Sequence, residues 1–507
     1  MNAQRLYMSR YLKIKKYNIS HSHLINSRRP FLNTKISFCD VKVKNNKDMI
    51  EKELETFIEI TKSLLNDEVV NPVSEVIPAD TLNTYFDLSL GDKGIPDDQF
   101  NELLKDVVLK TPKTSSKLFF NQLFGGRQPK AILGELLAVM LNNSMYTYKV
   151  AGPQVGIEKE IIRKSCELIS YGDNYGGTFA AGGSMSNLMA LLMARDRADR
   201  GVIAGGVVQK MTAYTSADSH YSVPKNAVFA GVGRDQVRFI PTDKKGLLIV
   251  GELETAIKKD IKNGLKPFFI NATAGTTVLG AFDSINPIAD LAQKYDLWLH
   301  VDGAYCGSVL FSQKYKHLID RVNRADSFNY NAHKMLGVPL SCSVLLVKDK
   351  AHLSDSFAKD AAYLYQTDED DFNLGKTSLQ CGRRNDALKL WTLWKSVGLE
   401  GLEAIVDHQF DLADLARDYI NANPDYTLYS YEDSISVCFN YKGIDAEELC
   451  TRLYERNKLL VGFGSFHGEK FVRFVTINAN NRKQDILHFF KQLEKEAEMM
   501  VGSGVLA

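Results

Sequence analysis

Two residues draw attention by type and placement, Asp302 and Lys334. The stretch Leu297-Trp298-Leu299-His300-Val301 is short, mostly apolar and β-prone, and it closes on Asp302-Gly303. Such a run reads as a buried parallel strand. Asp302 therefore stands at a carboxyl end, where open α/β sheets hold their ligands. Further along, Lys334 follows His333 inside an otherwise apolar run, Ala332 then Met335 and Leu336, bounded by Gly337 and Pro339. A lysine there is either a snorkelling surface residue or a reactive amine. Pyridoxal phosphate needs both residue types: an amine to hold its aldehyde as a Schiff base, and a carboxylate facing its ring nitrogen to keep that nitrogen protonated as an electron sink. Taken alone the pair is weak evidence, because a strand-end Asp and a distant Lys more often have structural roles.

The surrounding elements set the positions of these two residues. Met211–Ser216, Val237–Ile240, Pro267–Asn271, Leu297–Asp302 and Ser343–Val347 read as strands, with helices such as Leu253–Asn263 and Pro287–Tyr295 between some of them. That alternation predicts an α/β fold with a mostly parallel sheet covered on both faces. Upstream, 48–65 and 100–109 carry apolar residues at helical spacing, and Ile132–Met140 reads as a further helix. Downstream, helices at Ala387–Ser396, Leu402–Asn421 and Ala446–Asn457 with strand-like Ile435–Tyr441 and Phe471–Ile477 predict an α+β cap. The chain divides on this reading into a basic tail or presequence (1–48), an N-terminal helical segment (49–125), a large cofactor-binding domain (126–385) and a small C-terminal domain (386–507).

The string Gly176-Gly177-Thr178-Phe179-Ala180-Ala181-Gly182-Gly183-Ser184-Met185-Ser186-Asn187 leads into Leu188–Arg195, a strong helix former. Small residues before a helix let the backbone approach a phosphate, and the helix start offers free N–H groups and a favourable dipole. The string is neither a P-loop nor Gly-x-Gly-x-x-Gly, and by itself it is weakly specific. The near-miss Gly231-Val232-Gly233-Arg234 lacks a third glycine and follows no convincing strand, so it is discounted as a nucleotide site.

At 507 residues, 45% hydrophobic and 24% charged, the chain has room for a large core and more than one domain. A net charge of +1 gives no reason to expect nucleic acid or an anionic membrane as partner. Seven cysteines, Cys39, Cys166, Cys306, Cys342, Cys381, Cys438 and Cys450, are scattered without a Cys-x-x-Cys pair, so neither a disulfide framework nor a metal site is expected. No apolar run approaches the roughly 20 residues of a membrane span. Residues 1–39 carry Arg5, Arg10, Lys13, Lys15, Lys16, Arg28, Arg29 and Lys35 with no Asp or Glu. This fits a mitochondrial presequence. The plainer reading is a disordered basic tail, or an upstream start codon ahead of a protein that begins near Met49. It is preferred because the Lys, Asn and Ile richness is a general composition bias. The expected location is cytoplasmic, with mitochondrial as the alternative.

With their neighbours the two residues say more. Val301-Asp302-Gly303-Ala304-Tyr305 followed by Asn331-Ala332-His333-Lys334-Met335 resembles the signature of the group II pyridoxal-phosphate amino-acid decarboxylases. That family contains the glutamate, cysteine sulfinate, aspartate and aromatic amino-acid decarboxylases. The resemblance covers most of the chain from about Phe119 to Leu493. It implies fold type I, with a seven-stranded-type sheet, a homodimer, and an amino acid as small-molecule substrate. It assigns Lys334 to the Schiff base and Asp302 to the ring nitrogen. His220, in Ser219-His220-Tyr221-Ser222, would stack on the ring where the substrate arrives, and Ala304 would pack on the opposite face. Gly183 and Ser184 would cup the phosphate with Asn331 closing the other side, and Thr277 of Ala274-Gly275-Thr276-Thr277 is the better cofactor ligand of its pair. Tyr363, in the acidic stretch 355–375, matches the tyrosine that protonates the product carbanion. Arg473 corresponds to the clamp on the α-carboxylate, a task that suits a guanidinium.

For the substrate, Phe119-Phe120-Asn121-Gln122-Leu123 is similar to the string of the acidic-substrate members, which gives Gln122 the contact to the substrate's carboxylate. Gln380-Cys381-Gly382-Arg383 is shared with the glutamate and cysteine sulfinate members, and Gly307–Gln313 looks closest to the cysteine sulfinate side. Ser327-Phe328-Asn329-Tyr330-Asn331 instead resembles the aromatic enzymes. Gly303 stands where Ala is usual and Ala332 where Pro is usual, and both are expected to loosen the backbone near the cofactor. The alternatives are an aromatic decarboxylase, a pyridoxal-phosphate aminotransferase, or a non-catalytic protein that has kept the fold.

Overall fold

The computed structural model describes residues 46–358, 370–456 and 459–502. The basic segment 1–39 and Tyr363 lie outside the described residues. The chain forms two compact units, Met1–Phe57 and Ile58–Ala507. In the first, residues 46–57 are helical and expose Met49, Ile50, Leu54 and Phe57.

The second unit holds two sheets. Its first strand, β1 (Phe119–Phe120), is followed by β2 (Gly176–Ala180), β3 (Met211–Ser216), β4 (Val237–Ile240), β5 (Lys266–Thr273), β6 (Trp298–Gly303), β7 (Ser327–Asn331) and β8 (Ser343–Val347). The later strands are β9 (Tyr426–Leu428), β10 (Ser436–Tyr441), β11 (Leu460–Phe466) and β12 (Glu469–Val475). The seven-stranded sheet has the order β2-β8-β7-β6-β5-β3-β4. β8 runs antiparallel to β2 and β7, and the other neighbours pair in parallel.

Both faces of this sheet are buried, and the strand period of two shows how. Ala213, Phe269, Trp298, Leu345 and Val347 join one apolar cluster, while Tyr214, Ile270, Leu299, Val344 and Leu346 join another. The helix Gly183–Ala198 supplies Met189, Ala190, Leu191 and Met193 to the first cluster. Helices Val250–Lys262 and Ile285–Lys294 supply Leu253, Ile257, Ile288 and Leu291 to the second.

The predicted strands are present, those at 211–216, 237–240 and 343–347 with the predicted bounds. β2 and β7 were not predicted, because glycines and polar residues hide them. A Cβ on Gly177 would stand 2.7 Å from Leu345 O and 2.9 Å from Ile162 Cγ2, so β2 needs a glycine where its neighbours press closest. The five-stranded sheet has the order β1-β11-β12-β10-β9. Its edge strand β1 comes from the N-terminal segment and pairs in parallel with β11 at Phe119↔Leu460 and Phe120↔Val461. The predicted helices at 387–396 and 402–421 are present as two helices within Ala387–Asn421, separated by a kink where Gly398 takes φ +69°. Among the described residues no helix is long and apolar enough to cross a membrane.

Candidate active site

A cavity of about 200 Å³ opens at the carboxyl ends of the parallel strands, lined by Gly183, Ser184, His220, Thr277, Asp302, Ala304, Asn331 and Lys334 among others. The two reactive types lie on β6 and in the turn that follows its neighbour β7. Asp302 is the penultimate residue of β6, in register with Thr273 of β5 and Asn329 of β7. Lys334 sits in the tight turn after β7, its N–H donating to Asn331 O at 3.0 Å.

Asp302 is 4% exposed and well provided with donors. Its Oδ1 accepts the Ala304 N–H at 3.0 Å and its Oδ2 accepts Asn187 Nδ2 at 2.7 Å. The Lys334 amine lies 5.8 Å from the ring centre of Tyr305. Burial lowers its pKa, against the opposing pull of Asp302 and Cys306. An amine so placed carries a proton less firmly than a surface lysine, which is what a nucleophile needs. His220 Nδ1 accepts the Ser222 N–H at 3.2 Å, which leaves its proton on Nε2. Burial also lowers the His220 pKa, with Asp302 opposing and Lys334 assisting.

The phosphate-cup residues meet where β2 turns into the helix Gly183–Ala198. Gly182 makes the turn at φ +107°, in the left-handed region open to glycine. A Cβ on Gly183 would stand 2.8 Å from Ala304 Cβ and 3.0 Å from Asn331 Nδ2, so a glycine keeps this corner open. The first N–H groups of the helix have no partner within it. Around the same cavity Asn331 Oδ1 and Thr273 Oγ1 are buried without hydrogen-bond partners. A helix start, a carboxylate, an amine and orphaned polar atoms are the donor set that an anionic, aldehyde-bearing pyridine requires, so the residues present fit pyridoxal phosphate.

Arg473 of β12 lies beside the cavity. Its Nη1 donates to Thr277 O at 3.1 Å and its Nη2 to Asn121 O at 2.8 Å, while its Nε is buried without a partner. It thus ties the C-terminal sheet to the cavity loop and to the N-terminal segment. The structure does not bring Gln122 to this cavity: it is exposed on the turn after β1, next to Asn121. Thr276 has a structural role, its Oγ1 accepting the Ala281 N–H at 3.0 Å. Gly303 does not loosen the backbone as expected. A Cβ there would lie 2.5 Å from Asn329 O and 2.7 Å from Phe328 Cε2, so the position is tightly filled. Ala332 is likewise fully buried. Sequence reasoning assigned no role to Asn187, although it closes the glycine-rich string, nor to Tyr305, His333 or Ser222.

Residues 81–442 match the pyridoxal-dependent decarboxylase conserved domain. The chain is 35% identical to human cysteine sulfinic acid decarboxylase over 84% of its own length and 91% of that protein's. It is 34% identical to human acidic amino acid decarboxylase GADL1, over 85% and 89% respectively. Among solved structures, that of mouse CSAD superposes with a TM-score of 0.85 at 32% identity, covering 89% of this chain and 99% of that one. That of Oryza sativa TDC with PLP and tryptamine superposes at 0.83 with 24% identity over 90% and 99%, a likeness of fold.

Proposed function

The chain belongs to the pyridoxal-dependent decarboxylases, and from that membership we propose that it removes the α-carboxylate of an acidic L-amino acid, cysteine sulfinate, aspartate or glutamate, to give the amine and carbon dioxide. The observation that carries the reading is the convergence of Lys334, Asp302 and the glycine-rich helix start on one cavity, with Arg473 beside it. Family membership sets aside the aminotransferase and non-catalytic alternatives.

Pyridoxal phosphate, when bound, supplies the electron sink that accepts the pair left on Cα as carbon dioxide departs. The chain's own residues supply position and protons. Lys334 offers an amine whose proton burial has loosened. Asp302, its carboxylate fixed at both oxygens, would face the ring nitrogen. The helix start at Gly183 and Ser184, with Asn331 opposite, would hold the phosphate. His220 keeps a neutral, flat face with its proton on Nε2. Arg473, anchored by two carbonyls and left with an unpartnered Nε, orients the α-carboxylate, a use of binding energy for geometry. Tyr363 delivers the proton to Cα.

The enzyme acts as a homodimer on this reading. The helix Pro129–Leu141 supports it, since Leu133, Leu136, Leu137, Val139, Met140 and Leu141 are between 38% and 57% exposed. An apolar strip of that kind marks a contact surface. The deciding experiment is carbon dioxide release by the protein with added pyridoxal phosphate, run on cysteine sulfinate, aspartate, glutamate, tyrosine and dopa. Turnover confined to acidic substrates is expected. Turnover of the aromatic ones alone would overturn the substrate class.

A further inference from the structure

We propose that Asn187 is the positioning residue of Asp302, the last link of a one-way chain of hydrogen bonds that runs Trp298 to Ser327 to His300 to Asn187 to Asp302. The proposal deepens the reading of Asp302 as partner of the ring nitrogen and rests on it.

The strand alternation puts Trp298, His300 and Asp302 on one face of β6, the face under the helix that carries Asn187. The register sets Ser327 beside His300 and Asn329 beside Asp302. The direction of the chain follows from its two ends. Trp298 Nε1 can only donate, and it reaches Ser327 Oγ at 2.9 Å. A carboxylate can only accept, and Asn187 Nδ2 reaches Asp302 Oδ2 at 2.7 Å.

The links between these ends then have one solution. With its amide nitrogen turned to Asp302 and to Ser222 Oγ at 3.1 Å, Asn187 leaves Oδ1 for His300 Nε2 at 3.1 Å and Asn329 Nδ2 at 3.0 Å. His300 therefore carries its proton on Nε2. Burial lowers its pKa to about 4, so the ring is neutral and Nδ1 accepts from the Ser327 hydroxyl at 2.8 Å. Asn329 is fixed in turn, because its Oδ1 takes the Gly303 N–H at 2.9 Å. The ring of Phe269, stacked 6.2 Å from His300 at 21°, holds the imidazole plane. Chains of this kind polarise in one sense, and here each donor points toward Asp302.

Asn187 is also the link to His220. Ser222 accepts from Asn187 through its hydroxyl and donates its N–H to His220 Nδ1. One amide thus orients Asp302, which would face the ring nitrogen, and, through Ser222, the imidazole of His220, which would lie against the ring.

The test is the equilibrium affinity of the cofactor-free full chain for pyridoxal phosphate, read by the absorbance of the bound cofactor between pH 6 and pH 8. Asn187→Ala is expected to bind about tenfold or more weakly at every pH, because a bond to a charged acceptor is lost. Asn187→Asp keeps the shape but sets a second carboxylate against Asp302. It is expected to bind weakly at pH 8 and to regain affinity toward pH 6, as the new acid takes up a proton and can donate again. A role in packing alone produces no such pH-dependent recovery. Ser327→Ala removes the acceptor of Trp298 Nε1 and the donor to His300 Nδ1 without touching Asp302, and is expected to weaken binding less. It keeps the test open if an Asn187 variant fails to fold. Parental affinity across this pH range in all three variants, with Asp302→Asn binding weakly, would overturn the chain of bonds while leaving Asp302 in place. Parental affinity in Asp302→Asn as well would overturn the reading of Asp302 itself.

Discussion

Lys334 illustrates how much a single position can carry. An amine with an ordinary lysine pKa would be almost wholly protonated at neutral pH, and burial lowers that pKa while Asp302 limits the shift. Lys334→Ala is expected to leave a folded protein that no longer links the cofactor covalently and has lost turnover. The check is the absorbance of the linked cofactor together with carbon dioxide release, and retained full activity would remove Lys334 from the mechanism. Arg473 makes a complementary case. Its two backbone carbonyl partners lie on separate segments, and a lysine cannot reach both while keeping a planar fork for a carboxylate. Arg473→Lys is expected to raise KM about tenfold or more for the preferred amino acid while cofactor affinity stays at the parental level, measured by steady-state kinetics beside a cofactor titration.

At the scale of the element, β6 is the organising strand. It delivers Asp302 to the cavity at one end and buries Trp298 at the other. Its last residue shows how closely β6 and β7 are fitted: a Cβ on Gly303 would meet Asn329 O, Phe328 Cε2 and, at 2.9 Å, Gly307 Cα. Two of those three atoms are backbone, so no side-chain rotation relieves the contact. Gly303→Ala is expected to destabilise the chain by about 1–3 kcal/mol, as overpacking does, although alanine is usual at this place in the resembling family. Thermal unfolding of the cofactor-free protein measures it, and an unchanged midpoint would mean that β6 and β7 separate easily.

For the whole molecule, charge and surface decide. His300 and His333 are buried with pKa values lowered to about 4, while burial raises that of Asp283 to about 6. Below pH 6.5 the unfolded chain takes up protons that the two folded histidines refuse, so stability falls as pH drops toward 4. Asp283 works in the opposite sense, because its folded form holds a proton up to higher pH than its unfolded form. By themselves these two histidines and one aspartate sum to a loss of about 2 kcal/mol between pH 7 and pH 5, to which His220, lowered by burial, adds and from which Glu158 and Asp326, raised by burial, subtract. His333→Gln is expected to flatten the fall of the unfolding midpoint over that interval, and an unchanged pH dependence would contradict this environment of His333. The apolar strip on Pro129–Leu141 belongs to the same scale. Leu137→Glu is expected to shift the protein from dimer to monomer in sedimentation, and a parental dimer would place the subunit contact elsewhere.

The sequence by itself determined the chemistry. Lys334, Asp302, Gly183, Ser184, Ala304, Asn331, His220 and Thr277 were all legible, and the structure gathers them around one cavity. Asp302, Lys334 and the glycine-rich helix start stood out by residue type and placement, and the family resemblance, carried by short strings of neighbouring residues, implied the roles of the rest. What only the tertiary structure decided depends on contacts between segments distant in the chain. Asn187 reads as an ordinary helix residue until β6 and β7 place Asp302, His300 and Asn329 against it. Gln122 reads as a substrate contact, yet the turn after β1 leaves it exposed and turns Asn121 O to Arg473 instead. Gly303 reads as slack and proves to be filled, because the space a side chain needs belongs to its neighbours in the fold.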